Sequence, residues 1–431
     1  MGSSKRIIFT IVVNACRWVL ALVLIVSGFV KAVDPVGSMY KLQEYAAAFS
    51  VGAFSYDALL FFAILQAVLE FLVGIGLLMG IYRRFMTLLA PLMMLFFTVL
   101  TLFIYLDDSV ADCGCFGEAL TLSNGETLVK NIFLLLLSVM VFIGRRRFLY
   151  YISAKSRWMV TIFATFYIAF ASLMSLSHLP MVNFSPYEVG ADLRYLTEGE
   201  PGEYRVVDVY ERDGEQQECS AGEKPDASWN FVESRPVLVE EAVLPLISNL
   251  SIMDWEADID MVPGILADSG YVCIAVLEDV TRASVSRVDR INELYDYCLE
   301  NDIPFYAATA SEDEDVDLWR KRTGAEYPVY WAEESVLRLM VRANPGVMLL
   351  KDGVIVGKWN IADLPAVEEY SMSATGMPDS IGMLVDGMRG WRFWLLLLAL
   401  PLLVIAVLDV MACRNDNKDK PDDVIASGEQ E

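Results

Sequence analysis

The chain has 431 residues, 55% of them hydrophobic, and a formal net charge of −24. That length allows about three domains. Its acidity repels nucleic acid, so none is expected as a partner, and its single histidine, His178, excludes two-histidine haem ligation within one chain and the usual catalytic zinc sets.

Six apolar runs approach or exceed the roughly 20 residues needed to cross a bilayer. They are residues 11–33, 57–81, 85–106, 128–143, 158–176 and 391–411. Lys5 and Arg6 precede the first run as in a signal peptide, but the run is too long for one and is expected to be retained. Basic clusters follow the positive-inside rule. Lys5 and Arg6, Arg83 and Arg84, Arg145 to Arg147 with Lys155 and Arg157, and Arg414 with Lys418 and Lys420 all fall on one side if every run spans once. This predicts a multi-pass inner (plasma) membrane protein with both termini cytoplasmic and the segment between runs five and six periplasmic.

Arg17 and Glu70 are ionisable residues inside apolar runs. Counted at about 1.5 Å per residue from the outer ends of their helices, they lie roughly 24 Å and 20 Å deep. These similar depths predict an inner-bundle polar pair, because a charge in hydrocarbon is costly unless paired or hydrated. Gln66, one turn from Glu70, is expected to join it. Lys31, at the end of the first run, is expected to snorkel to the interface. A structural ion pair and a proton or cofactor site are both compatible with this pattern.

Between runs three and four lies Asp112-Cys113-Gly114-Cys115-Phe116-Gly117. Cys113 and Cys115 can close only a very small, easily reduced disulfide ring, which makes them the candidate catalytic redox pair. A metal site at Asp112, Cys113 and Cys115 is the weaker reading, since three ligands in four residues strain any closed geometry. Cys273 and Cys298 lie in apolar patterns and read as core, whereas Cys219 lies in a polar loop.

Between Pro186 and Gly390 there are 41 acidic and 16 basic residues, so this segment carries essentially all the net charge. It reads as a soluble domain. Residues 203–230 look like polar β structure, an extension packed on an α/β core. From residue 268 strands and helices alternate: a strand at 271–277, a helix capped by Ser284 and running to Asn301, a strand at 304–310, an acidic helix from Ser311, a strand at 328–331 and a helix at 335–341. A hairpin then turns at Lys351-Asp352-Gly353. This order resembles the thioredoxin-like fold, with Pro345 at the place of that family's cis-proline beside its partner groove. Where that family carries Cys-x-x-Cys, this chain reads Glu278-Asp279-Val280-Thr281-Arg282-Ala283-Ser284. It offers no nucleophile there.

The first four runs resemble the DoxX/MauE family of four-helix membrane proteins. The matching residues are Arg17-Trp18, Ser27-Gly28-Phe29-Val30-Lys31-Ala32-Val33-Asp34-Pro35, Glu70 before Gly74, and the Cys113–Cys115 motif, which favours the MauE branch. The whole layout is similar to multi-domain DoxX-family proteins of Bacteroidetes. The expected fold class is therefore membrane α-helical: a four-helix transmembrane bundle, further transmembrane helices and a soluble α/β thioredoxin-like domain lacking Cys-x-x-Cys. The expected boundaries are 7–145 for the DoxX/MauE-like bundle, 157–178 for a fifth helix, 180–267 for a periplasmic β-rich extension, 268–372 for the thioredoxin-like domain, 391–412 for a C-terminal helix and 413–431 for a cytoplasmic acidic tail. The resemblance implies methylamine-utilisation-type redox chemistry, in which Cys113 and Cys115 mature disulfides of a periplasmic protein client or work with a thioredoxin-like partner. It implies a quinone as electron carrier by analogy alone. A non-enzymatic scaffold or assembly factor is the alternative.

Overall fold

The computed structural model describes residues 3–50, 52, 54–107, 122–180, 182–198, 203–212, 215–220, 229–240, 245–254, 256–366 and 391–418. The chain forms two compact units, Met1–Phe184 with Ser373–Glu431, and Ser185–Met372.

The first unit is helical. Its helices are α1 (Ser3–Val33), α2 (Pro35–Ala48), α3 (Tyr56–Met79), α4 (Arg83–Asp107), α5 (Asn124–Gly144), α6 (Arg157–Ser177) and a C-terminal helix, Trp391–Lys418. Among the described residues, six helices, all of these except α2, are long and apolar enough to cross a membrane. Together they make this a multi-pass membrane protein in a bilayer environment, as the six apolar runs predict.

The helix ends are set by local chemistry. Ser55 accepts the N–H of Ala58 at 3.3 Å to start α3, and Gly80, at φ +72, ends it in the left-handed conformation that suits glycine. Ser123 and Glu126 cap α5 reciprocally. α2 is absent from the pattern of apolar runs. It starts at Asp34, whose carboxylate accepts the N–H of Gly37 at 2.8 Å, with Pro35 at the first helical position.

α1 and α3 approach very closely. A Cβ at Gly28 would sit 2.7 Å from the backbone nitrogen of Phe71 and 2.8 Å from the Ala67 carbonyl. One at Gly74 would sit 2.8 Å from the Ile25 nitrogen and 2.9 Å from the Ala21 carbonyl. Small residues at such a crossing let two backbones meet. The same contacts fix an antiparallel register in which α3 begins about two turns beyond the end of α1. Leu59 and Ala63 in that overhang pack with Met39 and Tyr40 of α2.

α6 and the C-terminal helix share a buried cluster in which Tyr167, Ile168, Trp394 and Leu402 meet Phe71 and Ile75 of α3. The Tyr167 hydroxyl donates to the Trp394 carbonyl at 2.9 Å. Near the other end, Asp409 is buried and accepts the Ser153 N–H at 2.7 Å together with the hydroxyls of Ser153 and Ser156.

The second unit is a mixed α/β unit. It opens with the short helix α7 (Leu193–Glu198), followed by β1 (Glu203–Arg212), β2 (Glu215–Ser220) and β3 (Asn230–Glu240), which make an antiparallel sheet ordered β2-β1-β3. The expected β structure after residue 203 is there. Then come β4 (Met253–Asp254), β5 (Ile259–Asp260), α8 (Val262–Ala267), β6 (Tyr271–Leu277), α9 (Asp289–Glu300), β7 (Phe305–Thr309), α10 (Asp313–Thr323), β8 (Val329–Trp331), α11 (Glu334–Met340), β9 (Gly346–Lys351) and β10 (Val354–Asn360).

The larger sheet runs β10-β9-β6-β7-β8-β4-β5. β6, β7 and β8 are parallel neighbours, while β9 is antiparallel to both β6 and β10. β6 is buried along nearly its whole length, which explains its unbroken apolar run. The sheet takes strands from both sides of residue 268, so β4 and β5 are part of it rather than of a separate extension. α9 starts at Asp289 instead of at Ser284. The intervening backbone is held in turns by Asp279, which accepts the Thr281 N–H at 2.8 Å, and by Ser284, which accepts the Ser286 N–H at 3.3 Å.

Candidate functional site

The membrane unit holds a compact buried polar cluster where α1 meets α3. Lys31 donates to both oxygens of Glu70, at 2.7 and 2.8 Å, and to the Ser27 hydroxyl at 3.1 Å. Ser27 donates to Glu70 Oε2 at 2.6 Å, and Gln66 donates to Oε1 at 3.0 Å, as its position one turn away predicts. Glu70 is fully buried and Lys31 nearly so. The ammonium spends its three N–H groups on these oxygens, and the carboxylate accepts four hydrogen bonds. A pair satisfied in this way can persist in an apolar surround. The close approach at Gly28, next to Ser27, brings the two side chains within direct reach.

The predicted partnership of Arg17 with Glu70 is corrected. Arg17 lies beside Gly80, where an added Cβ would come 3.5 Å from its Nη1. Gly80 is about ten residues, or roughly 15 Å, further along α3 than Glu70. Equal depths would require both helices to start at one level, whereas α3 overhangs α1. Arg17 instead donates to the Leu149 carbonyl at 2.9 Å and lies over the rings of Phe148 and Tyr151, 4.7 and 5.7 Å from their centroids. Lys31 is corrected too. It does not snorkel outward but turns inward to the carboxylate.

A cavity of about 510 Å³ opens at this cluster. Ser27, Lys31, Gln66 and Glu70 form one polar side, and Thr101 of α4 with Asn131 of α5 form another. Asn131 donates to the Thr101 hydroxyl at 3.3 Å, so these two helices are also cross-linked at the wall. The rest of the lining is mostly apolar and rich in phenylalanine, with Phe49 and Phe103 stacked at 4.3 Å, but it also includes Ser38, Lys41 and Tyr45 of α2 and Lys130 of α5. Sequence reasoning does not find this cavity. Its polar residues come from five helices, and only Glu70 and Gln66 stand out in an apolar run.

Cys113 and Cys115 lie outside the described residues. They belong to the segment joining α4 to α5, two helices that line the cavity. Cys219, read from the sequence as lying in a loop, is half-buried in β2 opposite Asp208, and two further thiols are poorly placed for chemistry. Cys273 and Cys298 are buried, and the Cys298 thiol beside it, then burial, holds the Cys273 thiol well above its ordinary pKa. A thiol kept protonated is a poor nucleophile.

In the second unit the Asn344–Pro345 bond is cis, at the mouth of the β9–β10 hairpin. The loop after β6 is tied to this bond. Asn344 donates to the Asp279 carbonyl at 2.8 Å, and its own carbonyl accepts the Ser284 N–H at 3.1 Å. Charged side chains fill the loop. Arg338 donates to Glu278 at 3.3 Å, and Arg282 donates to Asp279 at 2.6 Å. Burial works to raise the Asp279 pKa, but hydrogen bonds from Thr281 and Arg282 outweigh it and leave the carboxyl below its usual range. Among the described residues no group of His, Cys, Asp and Glu is arranged to hold a metal ion.

No curated protein and no solved structure matches the chain. Residues 9–144 match the family model described as methylamine utilisation protein MauE, so the part of the chain that carries the Lys31–Glu70 cluster, its cavity and the Cys113–Cys115 motif is a MauE family domain.

Proposed function

We infer that the protein is an inner-membrane thiol–disulfide redox protein whose working pair is Cys113 and Cys115. The observation that carries this reading is the position of the two cysteines. They sit one residue apart within the MauE family span, in the segment joining the cavity-lining helices α4 and α5. Starting from the dithiol, one thiolate attacks a sulfur of a client disulfide and forms a mixed disulfide. The second thiol then displaces the client as a dithiol, leaving Cys113 and Cys115 oxidised. The reverse sequence oxidises a client dithiol.

The client is a periplasmic protein or a thioredoxin-like partner, and a lipid-soluble carrier of the quinone class resets the pair. The order β10-β9-β6-β7, with cis-Pro345 ahead of the hairpin, supports reading the second unit as thioredoxin-like. In that reading its groove beside Pro345 holds the client and supplies no thiol. Arg17 and Glu70 then act separately within the bundle, Glu70 at the cavity and Arg17 as an anchor at the opposite end of α3.

Trapping tests this. Cys113→Ser or Cys115→Ser should accumulate mixed disulfides with periplasmic proteins that disappear on reduction. Finding none under mild oxidation would sink the redox reading. A second reading, a scaffold or assembly factor without enzymatic activity, is favoured by one observation: ion pairs occupy the loop after β6 where an active-site dithiol would stand. A permanently oxidised Cys113–Cys115 pair, indifferent to reductant and dispensable for phenotype, would decide for it.

A further inference from the structure

The cavity at the Lys31–Glu70 cluster lies toward one end of the membrane unit. Lys31 and Phe103 line it near the ends of α1 and α4, Phe54 just ahead of α3, and Lys130 in the second turn of α5. The ends of spanning helices are where hydrocarbon gives way to lipid head groups. The volume of about 510 Å³ lies within the roughly 300–1,000 Å³ common for small-molecule sites. Most of the wall is apolar. Phe96, Val99 and Phe103 of α4 line it and are exposed on a helix long and apolar enough to cross a membrane. An apolar chain can therefore pass between the cavity and the surrounding lipid.

The charged side chains restrict what such a chain can carry. Among the described lining residues there are three lysines, Lys31, Lys41 and Lys130, and one carboxylate, Glu70. Lys31 and Glu70 neutralise one another at 2.7 Å. That leaves Lys41 of α2 and Lys130 of α5, both half-buried, to set the sign of the lining. Lys41 also donates to Glu44 at 3.0 Å. The Glu44 carboxylate is 47% exposed and lies outside the lining, so the pair is a weak surface one. With Glu44 counted, the lining still carries an excess of positive charge. An ammonium has three N–H groups and can serve a second acceptor beside the first. An anionic head gains from both lysines, a cationic head is repelled by both, and an uncharged head gains little from either. Basic pockets between membrane helices take anionic lipid head groups for this reason.

We propose that this cavity holds the acyl chain of an anionic lipid, its carboxylate or phosphate head met by Lys41 and Lys130 and its chain lying along Phe97, Leu100 and Leu134. Phe97 and Leu134 flank the ion pair, so the chain covers the apolar surround of Lys31 and Glu70 while the head stays near the helix ends. The binding stands on the cavity and its lysines and requires no thiol, so it is independent of the redox reading.

The test is lipid binding to the full-length protein in nanodiscs of dioleoylphosphatidylcholine. The probe is stearate carrying a nitroxide on its chain, followed by electron paramagnetic resonance at a pH that ionises its carboxylate. A saturable, motionally restricted component is expected, and unlabelled stearate should displace it. The methyl ester of the same probe, which has the chain without the charge, should bind at least about tenfold more weakly. Lys41→Gln/Lys130→Gln should weaken the acid by at least about tenfold and bring it close to the ester. Leu100→Trp fills the cavity away from the lysines and should weaken acid and ester alike. The lysine variant decides the matter if the tryptophan variant does not fold. Displacement by dioleoylphosphatidylglycerol as well as by stearate would assign the site to an anionic phospholipid, and displacement by stearate alone to a free fatty acid. Absence of a saturable component, an ester that binds as tightly as the acid, or native affinity in the double-lysine variant would each overturn the proposal.

Discussion

Lys31 of α1 and Glu70 of α3 lie 2.7 Å apart in the buried heart of the membrane unit, at a helix crossing where only glycine fits at positions 28 and 74. Backbone approach and ion pair depend on each other. The glycines bring the helices together, and the pair satisfies the polar groups that this approach buries.

Removing one member of the pair should therefore cost more than removing both. Breaking a buried pair from one side leaves an uncompensated charge, at about 3–5 kcal/mol. Lys31→Met is expected to lower the thermal unfolding temperature of the full-length protein in detergent more than Lys31→Met/Glu70→Gln does. A double variant no more stable than the single one would refute the pairing.

The corrected partnership can be read from coupling energies. A double-mutant cycle on Lys31 and Glu70 should show substantial coupling, whereas one on Arg17 and Glu70 should add within about 0.5 kcal/mol, as distant sites do. Strong Arg17–Glu70 coupling would restore the pair that depth counting predicts.

Gly28→Ala and Gly74→Ala should each destabilise the membrane unit by about 1–3 kcal/mol, the usual cost of forcing atoms into a packed core. The obstructing atoms are backbone and cannot swing away. Gly125→Ala serves as control, since its added Cβ meets only the Tyr105 ring at an ordinary 3.5 Å. Unfolding in denaturant, followed by circular dichroism, separates the three. Equal stabilities would show that the two backbones have room to part.

Asp409→Asn should loosen the C-terminal helix from the Ser153–Ser156 turn. It weakens hydrogen bonds to a carboxylate, each worth about 1.5–3 kcal/mol. Limited proteolysis near residues 150–157 is the readout, and cleavage should be faster in the variant. An unchanged digestion pattern would count against the clamp.

The second unit should lose stability in acid in part through Asp279 and Asp192. Asp192 is held low chiefly by its hydrogen bond from Arg194, and Asp279 by Thr281 and Arg282 against the opposing effect of burial. A carboxyl whose folded pKa is depressed contributes fully above its ordinary value of 3.8, and the contribution disappears as pH falls through the lower folded value. Asp279→Asn should therefore reduce stability at neutral pH and flatten the decline below about pH 4. A variant with the native acid profile would assign that decline to other groups.

Much of the architecture is legible in the sequence, because its signals are long. The six apolar helices and the buried strand β6 stand out as runs, and Asp352-Gly353 marks the β9–β10 turn. The elements that escape are those too short or too polar to carry a period. α2 is announced only by Asp34-Pro35, and β4 and β5 have two residues each. At the candidate site, Glu70 and Gln66 are legible as polar groups in an apolar run. Lys31 is misleading, because a lysine at the end of such a run ordinarily reaches for the interface. Its true direction depends on how far α3 overhangs α1, which helix–helix contacts determine and loop lengths do not.

The cluster shared by α6 and the C-terminal helix has a consequence for how the protein is made. Trp394 and Leu402 complete a core whose other members, Phe71, Ile75 and Ile168, come from helices synthesised much earlier. The ribosome must deliver the whole of Ser185–Met372 before those two side chains exist. Chains fold in order of emergence, so the nascent membrane unit carries an open apolar flank on α6 throughout that interval. Truncation anywhere in the second unit should leave a membrane protein that is inserted but unsealed, a ready substrate for membrane quality-control proteases.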